Sequence, residues 1–204
     1  MFLEKFDSSL TESLAKNGFE SPTELQTAAM AKIIAGGDAI FVGPSTSGKT
    51  SLIAISLIHR LKEAFEDAPR AIVFVKNKDE ALALQALCQL LAKHTDLRFL
   101  CAFEGKPWKD QLEAIYIGAD VVIGTVSRLQ QIYFQNGLNL NKVKTLIIDS
   151  AQHTTHVSQV QYERMFMSAP KKCQKLLFTT QFTDRLDKMT GEYMEHAELF
   201  EFED

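Results

Sequence analysis

The stretch Asp38–His59 reads DAIFVGPSTSGKTSLIAISLIH, and its reading decides the fold. Four apolar residues, Ala39–Val42, lead into Gly43-Pro-Ser-Thr-Ser-Gly48-Lys49-Thr50, and a long segment with apolar residues at helical spacing follows. Strand, glycine-bounded loop and helix, in that order, turn a GxxxxGK[ST] match into a phosphate-binding device. Gly48 lets the backbone approach closely, and the successive amides of Ser45, Thr46, Ser47 and Gly48 converge on a phosphate at the helix N-terminus. Lys49 is expected on the β- and γ-phosphates and the Thr50 hydroxyl on Mg²⁺. The implied ligand is a nucleoside triphosphate.

Composition narrows what such a site can serve. At 204 residues, 46% hydrophobic and 24% charged, the chain predicts one domain, 1–204, with a sizeable core. A net charge of −4 provides no overall attraction to nucleic acid, so any RNA or DNA contact must come from a local basic face. Cys88, Cys101 and Cys173 are odd in number and have no metal-ligand spacing, which predicts reduced thiols in a cytoplasmic protein. The opening MFLEKFDSS carries acid early and is no signal peptide, and no stretch is long and apolar enough to span a membrane.

Along the chain, Ser9-x-x-Glu12 predicts a capping box opening a short helix that ends near Asn17-Gly18. Ser21, with Pro22 at the first helical position and Glu24 closing another box, predicts a second helix ending at Gly36-Gly37. Beyond the P-loop strand, apolar runs predict strands at Ala71–Val75, Arg98–Ala102, Asp120–Gly124, Leu146–Asp149, Lys175–Phe178 and Leu199–Phe202. Helical patterns fill the intervals at Lys49–Glu66, Asp79–His94, Pro107–Ile117, Ser127–Phe134, Tyr162–Met167 and Thr183–Tyr193. The alternation predicts an α/β fold with a mostly parallel sheet covered on both faces. Within it, Thr145-Leu-Ile-Ile-Asp149 places an acid at a strand end, where P-loop proteins hold Mg²⁺ through water.

Upstream of the P-loop, Gly18-Phe19-x-x-Pro22-Thr23-x-x-Gln26 resembles the Q motif of the DEAD-box RNA helicases. The resemblance implies the amino-terminal RecA-like, ATP-binding domain of that family, with residues 1–37 as the Q-motif segment. It also implies that Gln26 reads the adenine edge while Phe19, or an earlier aromatic (Phe2 or Phe6), packs on the ring. Phe103-Glu104-Gly105 with Gln111 resembles the family's glycine-pair segment. Asp120-Val-Val-Ile-Gly-Thr125-Val-Ser-Arg128 resembles its Thr-Pro-Gly-Arg element, and Pro170–Phe178 the run before its Ser-Ala-Thr motif. ATP or ADP, Mg²⁺, RNA and a second RecA-like domain in cis or trans are the implied ligands and partners.

The departures matter as much. Asp149-Ser150-Ala151-Gln152 stands where the family has Asp-Glu-Ala-Asp, so Ser150 occupies the position of the residue that polarises the attacking water. A positioned base contributes about 10²–10⁴ in rate, so hydrolysis is expected to be weak or absent while ATP and Mg²⁺ binding survives. Gln152 replaces the acid that couples this site to the Ser-Ala-Thr motif, itself changed to Thr179-Thr180-Gln181. Within the P-loop the family's middle glycine is Thr46. On the RNA side, Lys76-Asn77-Lys78-Asp79-Glu80 stands for Pro-Thr-Arg-Glu-Leu. Lys76, Lys78, Gly105, Lys106, Thr125 and Arg128 remain to contact a phosphate backbone; read without the resemblance, the lysines are a solvated face. His153 and His156 lack a third ligand at metal spacing. Trp108, at a helix start, is read as packing. A catalytically inactive, partner-binding module is the alternative function. A small P-loop kinase fits the length but leaves the Gln26 element unexplained.

Overall fold

The computed structural model describes residues 3–194 and 196–202. Seven strands form one sheet: β1 (Ala39–Val42), β2 (Ala71–Val75), β3 (Phe99–Ala102), β4 (Val121–Thr125), β5 (Thr145–Ile148), β6 (Gln174–Thr179) and β7 (Glu198–Glu201). Every pairing among them is parallel, in the order β3-β4-β2-β5-β6-β1-β7. The helices are α1 (Ser8–Lys16), α2 (Glu24–Ala35), α3 (Lys49–Leu61), α4 (Lys78–Leu91), α5 (Trp108–Ile117), α6 (Val126–Phe134), α7 (His156–Ser168) and α8 (Asp184–Tyr193). The α/β class expected from the sequence is the observed one, and the sheet is wholly parallel.

Parallel strands buried on both faces need near-continuous apolar runs, and AIVFV of β2 and TLII of β5 supply them. Side chains alternate between faces with period two. Phe41, Val73 and Ile147 join the core under α1–α4, whereas Ile40, Ile72, Phe74 and Ile148 join the core under α5–α8. The three-layer arrangement brings the carboxyl ends of β1, β6 and β5 side by side, the edge at which open α/β sheets bind ligands.

Where boundaries differ from the sequence reading, local hydrogen bonds explain why. Asp7, not Ser9, caps α1 by accepting from Leu10 N at 2.9 Å. Thr23, not Ser21, caps α2, and the reciprocal partner is Gln26, whose Oε1 accepts from Thr23 N at 3.0 Å. Helix α3 stops at Leu61 because Lys62 turns to φ +62°. Helix α7 begins six residues earlier than predicted, capped by Thr155; its first two turns offer only Val157 and Val160 as aliphatic residues, and Val157 is exposed.

A buried acid ties three strands together. Asp120, fully buried, accepts from Arg70 Nη2 at 2.7 Å, Arg98 Nε at 2.9 Å, and the amides of Arg98 and Phe65 at 3.0 Å. Burial alone would raise its pKa, but the hydrogen bonds from Arg98 and Arg70 win and leave it below the usual carboxylate range. Cys88 and Cys173 are buried and Cys101 half-buried, all three free, and desolvation raises each thiol pKa, to about 11 for Cys101 and Cys173. No helix among the described residues is long and apolar enough to cross a membrane.

Candidate functional site

The loop between β1 and α3 is built as its sequence suggests. Gly48 takes φ +80°, and a Cβ there would lie 2.5 Å from Gln26 Nε2 and 3.2 Å from Thr23 Cγ2. Only glycine allows both that backbone and that approach. Thr46 is not among the positive-φ residues, so the loop takes this shape without a glycine at 46. Ser45 and Thr46 are exposed, Ser47 and Gly48 half-buried. Ser47 Oγ donates to Pro44 O at 2.7 Å, while Ser47 O accepts from Thr23 Oγ1 at 2.8 Å.

Lys49 is buried at the start of α3, and its ammonium donates to Gly43 O at 2.6 Å, to Ser47 Oγ at 3.2 Å and to Pro44 O. Burial pulls its pKa down and the charge of Asp149 pulls it back part-way. The Thr50 side chain is exposed on the next residue. Asp149 follows β5, is 9% exposed, and accepts from Ser150 N at 2.8 Å. Burial pushes its carboxyl up to about 6; the Ser150 amide and Lys49 oppose the rise and Glu80 adds to it.

Ser45, Lys49, Thr50, Asp149, Ser150, Gln152 and Thr180 line one cleft of about 190 Å³, which Glu80 and Ala83 of α4 close from the side. The residues singled out for phosphate and metal are therefore neighbours, although β1 and β5 are far apart in sequence. The donors suit the ligand class: a buried ammonium for phosphate, and hydroxyl and carboxylate oxygens for a hard cation such as Mg²⁺. Glu80 was not singled out by the sequence, because nothing in the Lys76–Glu80 segment shows that its carboxylate turns toward the β5 end. Gln152 keeps a link to the end of β6, its Oε1 accepting from Thr179 Oγ1 at 3.3 Å and Thr180 N at 3.2 Å. A neutral amide makes these bonds at the position where the resemblance implied an acid.

Gln26 is buried and its amide is fully engaged: besides the Thr23 cap, Nε2 donates to Ser51 Oγ at 2.8 Å and Gly48 O at 3.2 Å. It staples α2 to the phosphate loop. Phe19 is half-buried against the core, and Phe6 is buried edge-on to His59, with ring centroids 5.4 Å apart. Phe2, the third aromatic considered for a base, lies outside the described residues.

The residues read as an RNA face divide. Lys76, Lys78, Gly105 and Lys106 are exposed. Lys78 and Lys106 flank the Phe103 ring at 5.8 and 5.7 Å, and Lys76 Nζ stands 3.4 Å from His153 Nε2. Gly105 takes φ +90°, open to solvent. Thr125 and Arg128 are instead buried: Thr125 Oγ1 donates to the Glu104 carboxylate at 2.7 and 2.9 Å, and Arg128 donates to Lys106 O at 2.8 Å and Gln111 Oε1 at 3.3 Å.

The DEAD/DEAH box helicase profile matches residues 23–189. The chain belongs to this family. Among DEAD/DEAH box relatives, the ATP-dependent RNA helicase RhlB of Salmonella paratyphi A is 29% identical over 203 residues, covering 95% of this chain and 48% of RhlB. The chain thus spans about half the length of the curated relatives it matches. A DEAD box protein from Methanococcus jannaschii shares the fold with a TM-score of 0.88 at 23% identity, over 96% of this chain and 54% of that one. A Saccharomyces cerevisiae Dbp5 variant, solved bound to Gle1 and IP6, does so with 0.82 at 20% identity, over 99% and 51%.

Proposed function

We propose that this chain is the ATP-binding, RecA-like half of a DEAD-box-type RNA helicase, with hydrolysis weak or absent when the chain acts alone. The observation that carries the reading is the shared cleft of Lys49, Thr50 and Asp149 with Ser150 beside them. Phosphate oxygens are the natural exchange partners for the Gly43 and Pro44 carbonyls on the Lys49 ammonium. Mg²⁺, when bound, would neutralise charge on the β- and γ-phosphates; Thr50 and Asp149 would hold it, Asp149 through water. The adenine falls to Gln26, whose amide would exchange its Thr23 and Ser51 partners for the base edge, and to Phe19. Ser150 has no group able to take a proton from water at neutral pH. A second RecA-like domain, in cis or trans, would complete the site and the RNA groove over Lys76, Lys78 and Gly105. A cytoplasmic location, where the three thiols stay reduced, belongs to the same reading.

The inward-turned Thr125 and Arg128 favour a second reading, a helicase-like module that acts through protein partners. Calorimetry with ATP·Mg²⁺ and ADP, followed by phosphate release with single-stranded RNA at two salt concentrations, separates the two. The first reading expects nucleotide binding, salt-sensitive RNA binding and little stimulated turnover. Turnover matching active two-domain helicases would refute the hydrolysis statement. Nucleotide binding without any RNA signal would favour the partner module, and loss of ATP-over-GTP preference in Gln26→Ala would support the adenine assignment.

A further inference from the structure

At the opposite end of α3 from the phosphate loop, a cavity of about 240 Å³ opens between the carboxyl ends of α2 and α3, lined by Ile33, Ile34, Ser56, His59, Arg60 and Lys62. Its polar lining is basic or hydroxylic, with no carboxylate. Arg60 is half-buried and forms no ion pair among the described residues. Arg60 Nε and His59 Nδ1 are both buried without a hydrogen-bond partner among those residues. Buried polar atoms nearly always have partners, so the unpartnered Arg60 Nε and His59 Nδ1 leave donor or acceptor capacity open beside the cavity.

The simpler use of such a guanidinium would be to cap the two helix ends, but several of their carbonyls have other partners, and no hydrogen bond from Arg60 reaches one among the described residues. Gln174 Nε2 donates to Ile33 O at 3.1 Å and Gly37 O at 2.8 Å. Arg70 donates to Leu61 O and Glu63 O, and Lys62 N to Ile58 O. The Arg60 head lies instead beside α2, 3.8 Å from where a Cβ on Gly36 would sit. The charge of Asp7 acts on His59, and Asp7 is engaged in capping α1. Two helix carboxyl ends contribute roughly half a negative charge each, which the charges of Arg60 and Lys62 outweigh; burial and then Lys62 lower the His59 pKa, so its ring is a neutral neighbour.

We propose that this cavity is a binding site for a phosphate-class oxyanion, with Arg60 as its principal ligand, His59 and Lys62 as further donors, and Ile33 and Ile34 as an apolar wall for the group that carries the phosphate. Guanidinium geometry favours a phosphate or carboxylate fork, and the apolar wall favours a phosphoryl group on a small organic molecule over free phosphate.

The test is an amide-resolved NMR titration of the full chain at low ionic strength with phenyl phosphate and, separately, inorganic phosphate. The expected result is saturable shifts at residues 33–37 and 59–62, independent of shifts at 43–50. Arg60→Gln should weaken the first set about tenfold or more and leave the second unchanged. Tighter binding of phenyl phosphate supports a phosphoryl compound, and equal binding supports phosphate itself; either upholds the site. Absence of saturable shifts at 33–37 and 59–62 with both probes overturns it, as does unchanged affinity in a folded Arg60→Gln. If that variant does not fold, exposed Lys62→Gln decides: weaker binding upholds the site, unchanged affinity overturns it.

Discussion

Ser150 sits just past β5 at φ +57°, a conformation that costs a non-glycine residue about 1–2 kcal/mol. Its side chain lines the cleft that holds Lys49 and Asp149. Ser150→Glu returns a carboxylate to that position without asking the backbone to change, and should raise ATP turnover by about 10²-fold or more. Ser150→Ala should leave it unchanged. Phosphate release at saturating ATP·Mg²⁺ reads both, and equal rates in all three proteins would mean that the missing proton acceptor is not the limiting defect. Asp149 has a second consequence. Its folded pKa of about 6 lies above the ordinary carboxylate value because burial disfavours its charge. The folded state therefore holds a proton that the unfolded state has already released, and stability falls as pH rises from about 4 to about 6. Asp149→Asn should thus stabilise the chain at pH 7.5, by about 3 kcal/mol at most, with the gain vanishing below about pH 4. Denaturant titrations at the two pH values measure it. Glu80→Gln removes a like charge from the same cleft and should lower the Asp149 pKa, visible in the carboxyl NMR titration.

At the scale of elements, α2 and the phosphate loop behave as one part, because Thr23 and Gln26 bond both the helix start and the loop. Gly48→Ala should strain the loop backbone, push Gln26 away and weaken ATP binding together with stability. The loss expected in urea unfolding is about 1–3 kcal/mol; an unchanged midpoint would show that α2 and the loop are not coupled. The same junction shows what the sequence makes legible. Ala39–Val42, the glycines and Lys49-Thr50 announce strand, loop and helix through spacing alone. The pairing of Asp149 with them follows once the strand order is known. Thr23 as the cap was hidden because Ser21-Pro22 offers an equally good local signal; contact with Ser47 distinguishes the two, and that contact is long-range. The polar start of α7 carries no periodicity. Arg128 read as a phosphate ligand because nothing local reveals that Lys106 and Gln111 accept from it. Local chemistry writes the elements, and the destination of a long side chain depends on residues brought near by folding.

For the whole molecule, the Asp120 cluster is the electrostatic fastening of β2, β3 and β4 to the end of α3. Asp120→Asn leaves buried Arg70 without its countercharge and Arg98 with exposed Asp67 alone, and should cost about 3–5 kcal/mol at pH 7. Because the folded pKa of Asp120 is depressed, its contribution is present above the ordinary carboxylate range and is lost as pH falls through the lower folded value. The gap between wild type and variant should therefore shrink as the buffer is taken to acid, and a gap independent of pH would contradict the assignment. The sheet order also bears on how the molecule is made. Strand β1, which launches the phosphate loop, is hydrogen-bonded among the described residues only to β6 and β7, the two most carboxyl-terminal strands of the sheet. A nascent chain that has emerged as far as Cys173 carries the whole GxxxxGKT sequence but neither of the ribbons that hold β1 in place. On the proposed reading, ATP affinity should appear in a series of lengthening chains only once β6 and β7 are present, and binding by a chain that ends at Cys173 would contradict it.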